Sequence, residues 1–180
     1  MDNNPWKVIY HQQTELYEQL VQHEDYQGHL FASINRLYPV TEVRVVEFGA
    51  GTGRVTALLA PAARIILAFD LALPMVRIAH RKLQERFGHK LITGAADNRA
   101  VPVASQSADI AIEDWSFAQM MVWYQAAWRR EMRQAILEML RVLRPGGTAM
   151  MIETLGTGME TQAARTPAGF LRLRRKRMGL

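Results

Sequence analysis

Three glycines at alternate positions, Gly49, Gly51 and Gly53, follow a short apolar run of Val43, Val45, Val46 and Phe48 that also carries Glu47. Glycine allows unusual backbone dihedrals and leaves no Cβ between the chain and a ligand. Val55, Ala57, Leu58 and Leu59 then open a helical pattern, whose first turn offers free N–H groups. Acids recur at the ends of later apolar runs. Asp70 closes Arg64–Asp70 and lies 23 residues after Glu47, close to the spacing at which a carboxylate meets a ribose. A carboxylate accepts both hydrogen bonds of a vicinal diol. Asp97 and Asn98 follow Lys90–Ala95, and Glu113 and Asp114 end Ala108–Asp114 ahead of Trp115, Ser116 and Phe117. An acid pair beside an aromatic could hold a substrate or take its proton. Plainer roles compete at each site. The glycines could form a turn with no ligand, Asp70 could cap a helix starting near Leu73, Asp97 could be a turn residue, and Glu113 and Asp114 could sit in a solvated loop. The five histidines (11, 23, 29, 80 and 89) show no metal-ligand spacing, no Ser-His-Asp set is evident, and there is no cysteine.

The elements that must position these residues follow from the pattern. Strand, glycine turn and helix form the first unit of a nucleotide-binding α/β fold. The continuous apolar runs read as parallel strands covered on both faces. Ligands bind at the carboxyl ends of such strands, which puts Gly49, Asp70 and Asp97 on one edge. Strand alternation lets only one of Glu113 and Asp114 face a pocket there. Two helices precede the first strand. One starts at Pro5 and carries Trp6, Ile9, Tyr10, Leu16, Tyr17, Leu20 and Val21; the other carries Tyr26, Leu30, Phe31, Ile34 and Leu37 and stops at Pro39. A long helix through Trp128, Met132, Met139 and Leu143 exposes Arg129, Arg130, Arg133, Glu138 and Arg141 on a solvated face. Arg144-Pro145-Gly146-Gly147 then turns into a fifth strand, Thr148–Thr154.

The 180 residues suit one domain with a proper core. Net charge is +5, but Arg165, Arg172, Arg174, Arg175, Lys176 and Arg177 crowd the last sixteen residues, which contain no acid. The rest is near neutral and carries no electrostatic footprint for nucleic acid. No aromatic stacking platform accompanies the tail, which makes a nucleic-acid arm the lesser reading. No signal peptide or membrane-length apolar run is visible, so a cytoplasmic location is expected.

The glycine pattern is not G-x-G-x-x-G, because Arg54 stands where the third glycine of that dinucleotide fingerprint belongs; this opposes a nicotinamide-dependent enzyme. Glu47-x-Gly49-x-Gly51-x-Gly53 instead resembles motif I of the class I S-adenosylmethionine-dependent methyltransferases. The acid after strand two, the acid after strand three and Leu143-Arg144-Pro145-Gly146-Gly147 match further landmarks of that family in order. The resemblance implies a Rossmann-like doubly wound parallel sheet of order 3-2-1-4-5. Residues 1–40 would form a helical lid, 41–155 the cofactor-binding core and 156–180 a basic tail. It implies S-adenosylmethionine held by Glu47, Phe48, Gly49, Ala50, Gly51 and Gly53. Asp70 would meet the ribose and Met75 the nucleoside, with Leu71 also among the cofactor-binding residues. Asp97 would read the adenine, Asn98 beside it would join the cofactor-binding residues, and Tyr10 would touch the methionyl end. Glu113 and Asp114 would be the catalytic candidates facing a small-molecule acceptor during in-line methyl transfer. The family sheet usually has seven strands, and no segments for strands six and seven are evident here. A truncated chain ending its sheet at strand five is therefore expected. Its open edge could pair in a homodimer, or a tail helix through Phe170, Leu171 and Leu173 could cover it. Truncation also raises the alternative of a cofactor-binding protein that has lost catalysis.

Overall fold

The computed structural model describes residues 5–25, 27–153 and the backbone of 169–174. The side chains of Trp6, Tyr26, Phe170, Leu171 and Leu173, and most of the basic tail, lie outside the described residues. The elements are α1 (Pro5–Gln12), α2 (Thr14–Val21), α3 (Leu30–Leu37), β1 (Arg44–Phe48), α4 (Arg54–Leu59), β2 (Ile65–Asp70), α5 (Leu73–Phe87), β3 (Leu91–Ala95), β4 (Ala108–Asp114), α6 (Gln119–Tyr124), α7 (Trp128–Val142), β5 (Leu143–Glu153) and β6 (Gly169–Arg174). The sheet runs β3-β2-β1-β4-β5-β6. Its first five strands are parallel in the expected 3-2-1-4-5 order, and β1 is flanked by β2 and β4.

The apolar runs of β1, β2 and β4 are buried because alternate side chains feed two cores. Val45, Ile66, Ile110 and Met150 pack with Ile34 of α3, Leu59 of α4 and Leu83 and Phe87 of α5. Val46, Phe48, Leu67, Phe69 and Ala111 pack on the opposite face with Phe117, Met120 of α6 and Ala135 and Met139 of α7. Pro74 stands in the first turn of α5, where its missing N–H costs nothing.

Four expectations are corrected. The first N-terminal helix is two, because Gln13 leaves helical geometry (φ −123°, ψ 33°) between α1 and α2. The Pro-Gly-Gly turn lies inside β5. Pairing passes from Ala108↔Leu143 to Ile110↔Thr148, so residues 144–147 bulge out opposite Asp109. Glu138 is buried on α7 and accepts the Val101 N–H at 2.9 Å. Finally, β5 is not an open edge, and residues 169–174 are not helical. They form β6, which runs antiparallel to β5 from Thr148↔Arg174 to Glu153↔Gly169. A bare strand edge offers unpaired N–H and C=O groups, and β6 satisfies them. A dimer through an open β5 edge is thereby excluded.

Candidate functional site

The loop after β1 is built by main-chain geometry. Gly49 and Gly51 have φ of +69° and +53°, values that favour glycine. Ala50 N–H donates to the Phe69 carbonyl at 2.8 Å, which ties the loop to β2. Asp70 completes the tie. Its Oδ2 accepts the Gly51 N–H and its Oδ1 the Ala72 N–H, both at 2.8 Å. Each oxygen keeps a second lone pair. Burial pushes this carboxyl above its ordinary value, against the two N–H donors.

Gly49 also makes room for a neighbouring loop. A Cβ on it would stand 2.2 Å from Ser116 Cβ, and Ser116 Oγ donates to the Phe48 carbonyl at 3.1 Å. Gly53 serves packing. Its missing Cβ would meet Leu83 and Ala79 of α5 at 3.0 and 3.1 Å.

A cavity opens at the carboxyl edge of the sheet. Of the residues singled out by sequence, Tyr10, Gly49, Gly51, Asp70, Leu71, Met75, Asn98 and Asp114 line it. Glu47 and Ala50 line a smaller adjoining hollow with Glu24 and Arg54. Glu47 is fully enclosed, its Oε2 accepts the Thr56 hydroxyl at 2.5 Å, and burial pushes it up to about 8. Phe48 and Gly53 line neither. The Phe48 ring meets Phe117 edge-on in the core, centroids 6.5 Å apart.

The two remaining acids do not line the cavity, and each is engaged by partners of its own. Asp97 reaches the same edge, yet its carboxylate accepts the Arg99 N–H at 2.8 Å and Arg99 Nε at 2.9 Å, and it does not line the cavity. Arg99 continues to Glu131 of α7 and lies 4.9 Å over the Tyr124 ring. Glu113 points into the protein, as strand alternation requires once Asp114 faces out. It accepts Ser116 N–H and Phe117 N–H at 3.2 Å and Ile152 N–H at 3.1 Å. Burial and the nearby Glu153 hold its carboxyl well above the usual range. Glu113 therefore organises the loop after β4 and does not reach the cavity.

Sequence reasoning missed Gln119 and Trp123, which line the cavity from α6, and the ion pairs of Arg54 with Asp114 and Glu24. The available signal was position, since α6 follows the loop leaving the β4 tip. Backbone strain brackets that segment: Trp115 has φ +52° and Gln125 φ 40° with ψ −112°. Such conformations cost about 1–3 kcal/mol each and cluster at ligand sites.

The lining fits a ligand rich in donors and acceptors. Asn98 Oδ1, Asp114 Oδ1, Trp115 Nε1 and Trp123 Nε1 are buried with no hydrogen-bond partner among the described residues. An unpaired buried polar group costs about 1–3 kcal/mol, so four around one cavity fit a molecule that can pair with them.

The family described as "Methyltransferase domain" matches residues 45–147, the span from β1 to the bulge in β5. The malonyl-[acyl-carrier protein] O-methyltransferase of Methylococcus capsulatus is 34% identical over 66% of this chain and 39% of its own length. The demethylmenaquinone methyltransferase of Clavibacter sepedonicus is 29% identical over 68% of this chain and 45% of its own length. The chain thus spans less than half of either relative. Among solved structures, the [4+2]-cyclase SpnF superposes with a TM-score of 0.60 at 25% identity, covering 73% of this chain and 47% of that one.

Proposed function

The chain belongs to the methyltransferase-domain family, and from that premise we propose that it binds S-adenosylmethionine and directs its methyl group to a small-molecule acceptor. The observation that carries this reading is the joint between Gly51 and Asp70. One carboxylate fixes the glycine turn and keeps two lone pairs for a ribose diol beside it. Gly49 and Gly51 leave the amino-acid moiety an open main chain, and an ammonium in the adjoining hollow would favour the charged forms of Glu47 and Glu24, which burial opposes. Met75 and Leu71 give the nucleoside an apolar wall, with Asn98, whose Oδ1 has no partner among the described residues, assigned to the adenine in place of Asp97. Tyr10, edge-on to Tyr17 at 5.5 Å and to Trp123 at 6.1 Å, closes the opposite side.

When bound, the sulfonium supplies an electrophilic methyl carbon. The chain's own residues have to orient the acceptor in line with it and exclude water. Asp114 is the acid placed to accept a proton from an acceptor protonated at neutral pH.

A second reading has a specific observation behind it. Asp114 is engaged by Arg54 and Glu113 by the backbone, so no carboxylate at the β4 tip is free of protein partners. That favours a protein that holds the cofactor without transferring its methyl group. The likeness to a protein named a [4+2]-cyclase is in keeping with that second reading.

Calorimetry decides first. S-adenosylhomocysteine is expected to bind and NAD to give no heat; the reverse result overturns the proposal. Labelled methyl transfer to a panel of carboxylate, phenol and amine acceptors then separates the two readings, since binding without transfer to any of them supports the second.

A further inference from the structure

We infer that Arg54 is a positioning residue that couples the Asp114 carboxylate at the β4 tip to the N-terminal helices through Glu24, an inference whose functional meaning rests on the cofactor reading above. Arg54 is the first residue of α4 and leaves the glycine turn directly after Gly53. Its Nη2 pairs with Asp114 Oδ2, and its Nη1 lies 3.2 Å from Glu24 Oε2. Its guanidinium carbon stands 4.4 Å from the centroid of the Trp115 ring. One planar group thus touches the stretch between α2 and α3, the β4 tip and a wall of the cavity. The side chains of Arg54, Asp114 and Glu24 are only 17%, 10% and 27% exposed, so solvent screens this chain of charges less than it would a surface pair.

The surroundings explain why a cation is needed. The Asp114 charge is felt by Tyr17 of α2, by Glu24 between α2 and α3, by Glu47 of β1, and by Glu113 and Glu153 of the sheet. Each is an acid or a phenol. Burial pushes Asp114 up, and Arg54 opposes that shift. Its second oxygen, buried and without a hydrogen-bond partner among the described residues, is the one left for a ligand. Glu24 is likewise raised by burial and by Asp114 and lowered by Arg54. Removing the guanidinium leaves both carboxylates and the fully enclosed Glu47 without it. The Asp114 carboxyl is then pushed further up, and the N-terminal helices lose this tie to the tip.

The experiment reads Asp114 directly, without a known acceptor. Its carboxyl resonance is followed by carbon NMR from pH 4 to 9 and assigned through Asp114→Asn. In Arg54→Met the titration midpoint is expected to rise by about one to three pH units, the effect of removing an adjacent opposite charge. Arg54→Lys should give an intermediate midpoint, since lysine keeps the charge and loses the fork. Amide exchange across residues 14–25 should quicken by about two- to five-fold in Arg54→Met and in Glu24→Gln, the worth of a partly exposed ion pair. An unmoved Asp114 midpoint, or unchanged exchange in both variants, overturns the coupling. Should Arg54→Met fail to fold, Arg54→Lys and Glu24→Gln decide the same two points. Failure of the wild-type protein to bind S-adenosylhomocysteine overturns the cofactor reading, and the midpoint and exchange results still decide the coupling.

Discussion

The tips of β2 and β3 carry the same residue type on the same edge of the same sheet, and they end in opposite conditions. Asp70 is satisfied by two backbone N–H groups that leave half of its lone pairs free beside a cavity. Asp97 is gripped by a guanidinium two residues away, which is itself anchored to Glu131. A backbone donor takes one lone pair and fixes direction; an arginine fork takes two oxygens and neutralises the charge. What separates a ligand-ready acid from a structural one at a strand end is thus the identity of its nearest donor.

The contrast can be broken at its strongest point by Asp70→Ala. Loss of a charge-assisted pair to the ribose is expected to weaken S-adenosylhomocysteine binding about 10- to 100-fold by calorimetry, with the freed Gly51 and Ala72 N–H groups loosening the loop as well. An affinity within threefold of wild type would place Asp70 with Asp97 as a structural acid.

Arg99→Met probes the other tip through stability. Arg99 holds the Asp97 carboxyl below its ordinary 3.8. A depressed carboxyl stabilises the fold above that unfolded value and loses the contribution as pH falls through the lower folded one. The variant should therefore melt below wild type at pH 6, and the gap should narrow below about pH 3.8, a trend that differential scanning calorimetry follows. A gap that widens with acid would mean that Arg99 is not what holds Asp97.

The smallest effect is expected from Asp97→Asn, which keeps the turn and removes the charge. Its affinity for S-adenosylhomocysteine should stay within about threefold of wild type, below the roughly 1 kcal/mol of a direct hydrogen bond. A tenfold loss would return Asp97 to the adenine.

Legibility followed the range of the interactions. The glycine turn, the place of Asp70 at the end of β2 and the sheet order could be read because spacing along one βαβ unit fixes them. Glu113 and Asp114 could be reduced to one outward residue by alternation, and the contacts of Glu113 identify Asp114 as that residue. The Arg99 grip on Asp97 was not legible, because the conformation of a side chain two residues away is not written in the sequence. Glu138 looked solvated because its partner, the Val101 N–H, is 37 residues away. Trp123 was missed because a cavity-lining aromatic and a core aromatic have the same helical period. The sixth strand was hidden because arginines interrupt the apolar pattern of Gly169–Arg174.

Gly49 and Ser116 occupy what is nearly a single volume, with 2.2 Å between a would-be Cβ and a real one. These two positions, sixty-seven residues apart, form one unit of inheritance. Bulk gained at 49 must be surrendered at 116, together with the hydroxyl that holds the Phe48 carbonyl. Across related chains their sizes are expected to vary in opposition, and a lineage that enlarges either alone has moved the first turn of its cofactor loop.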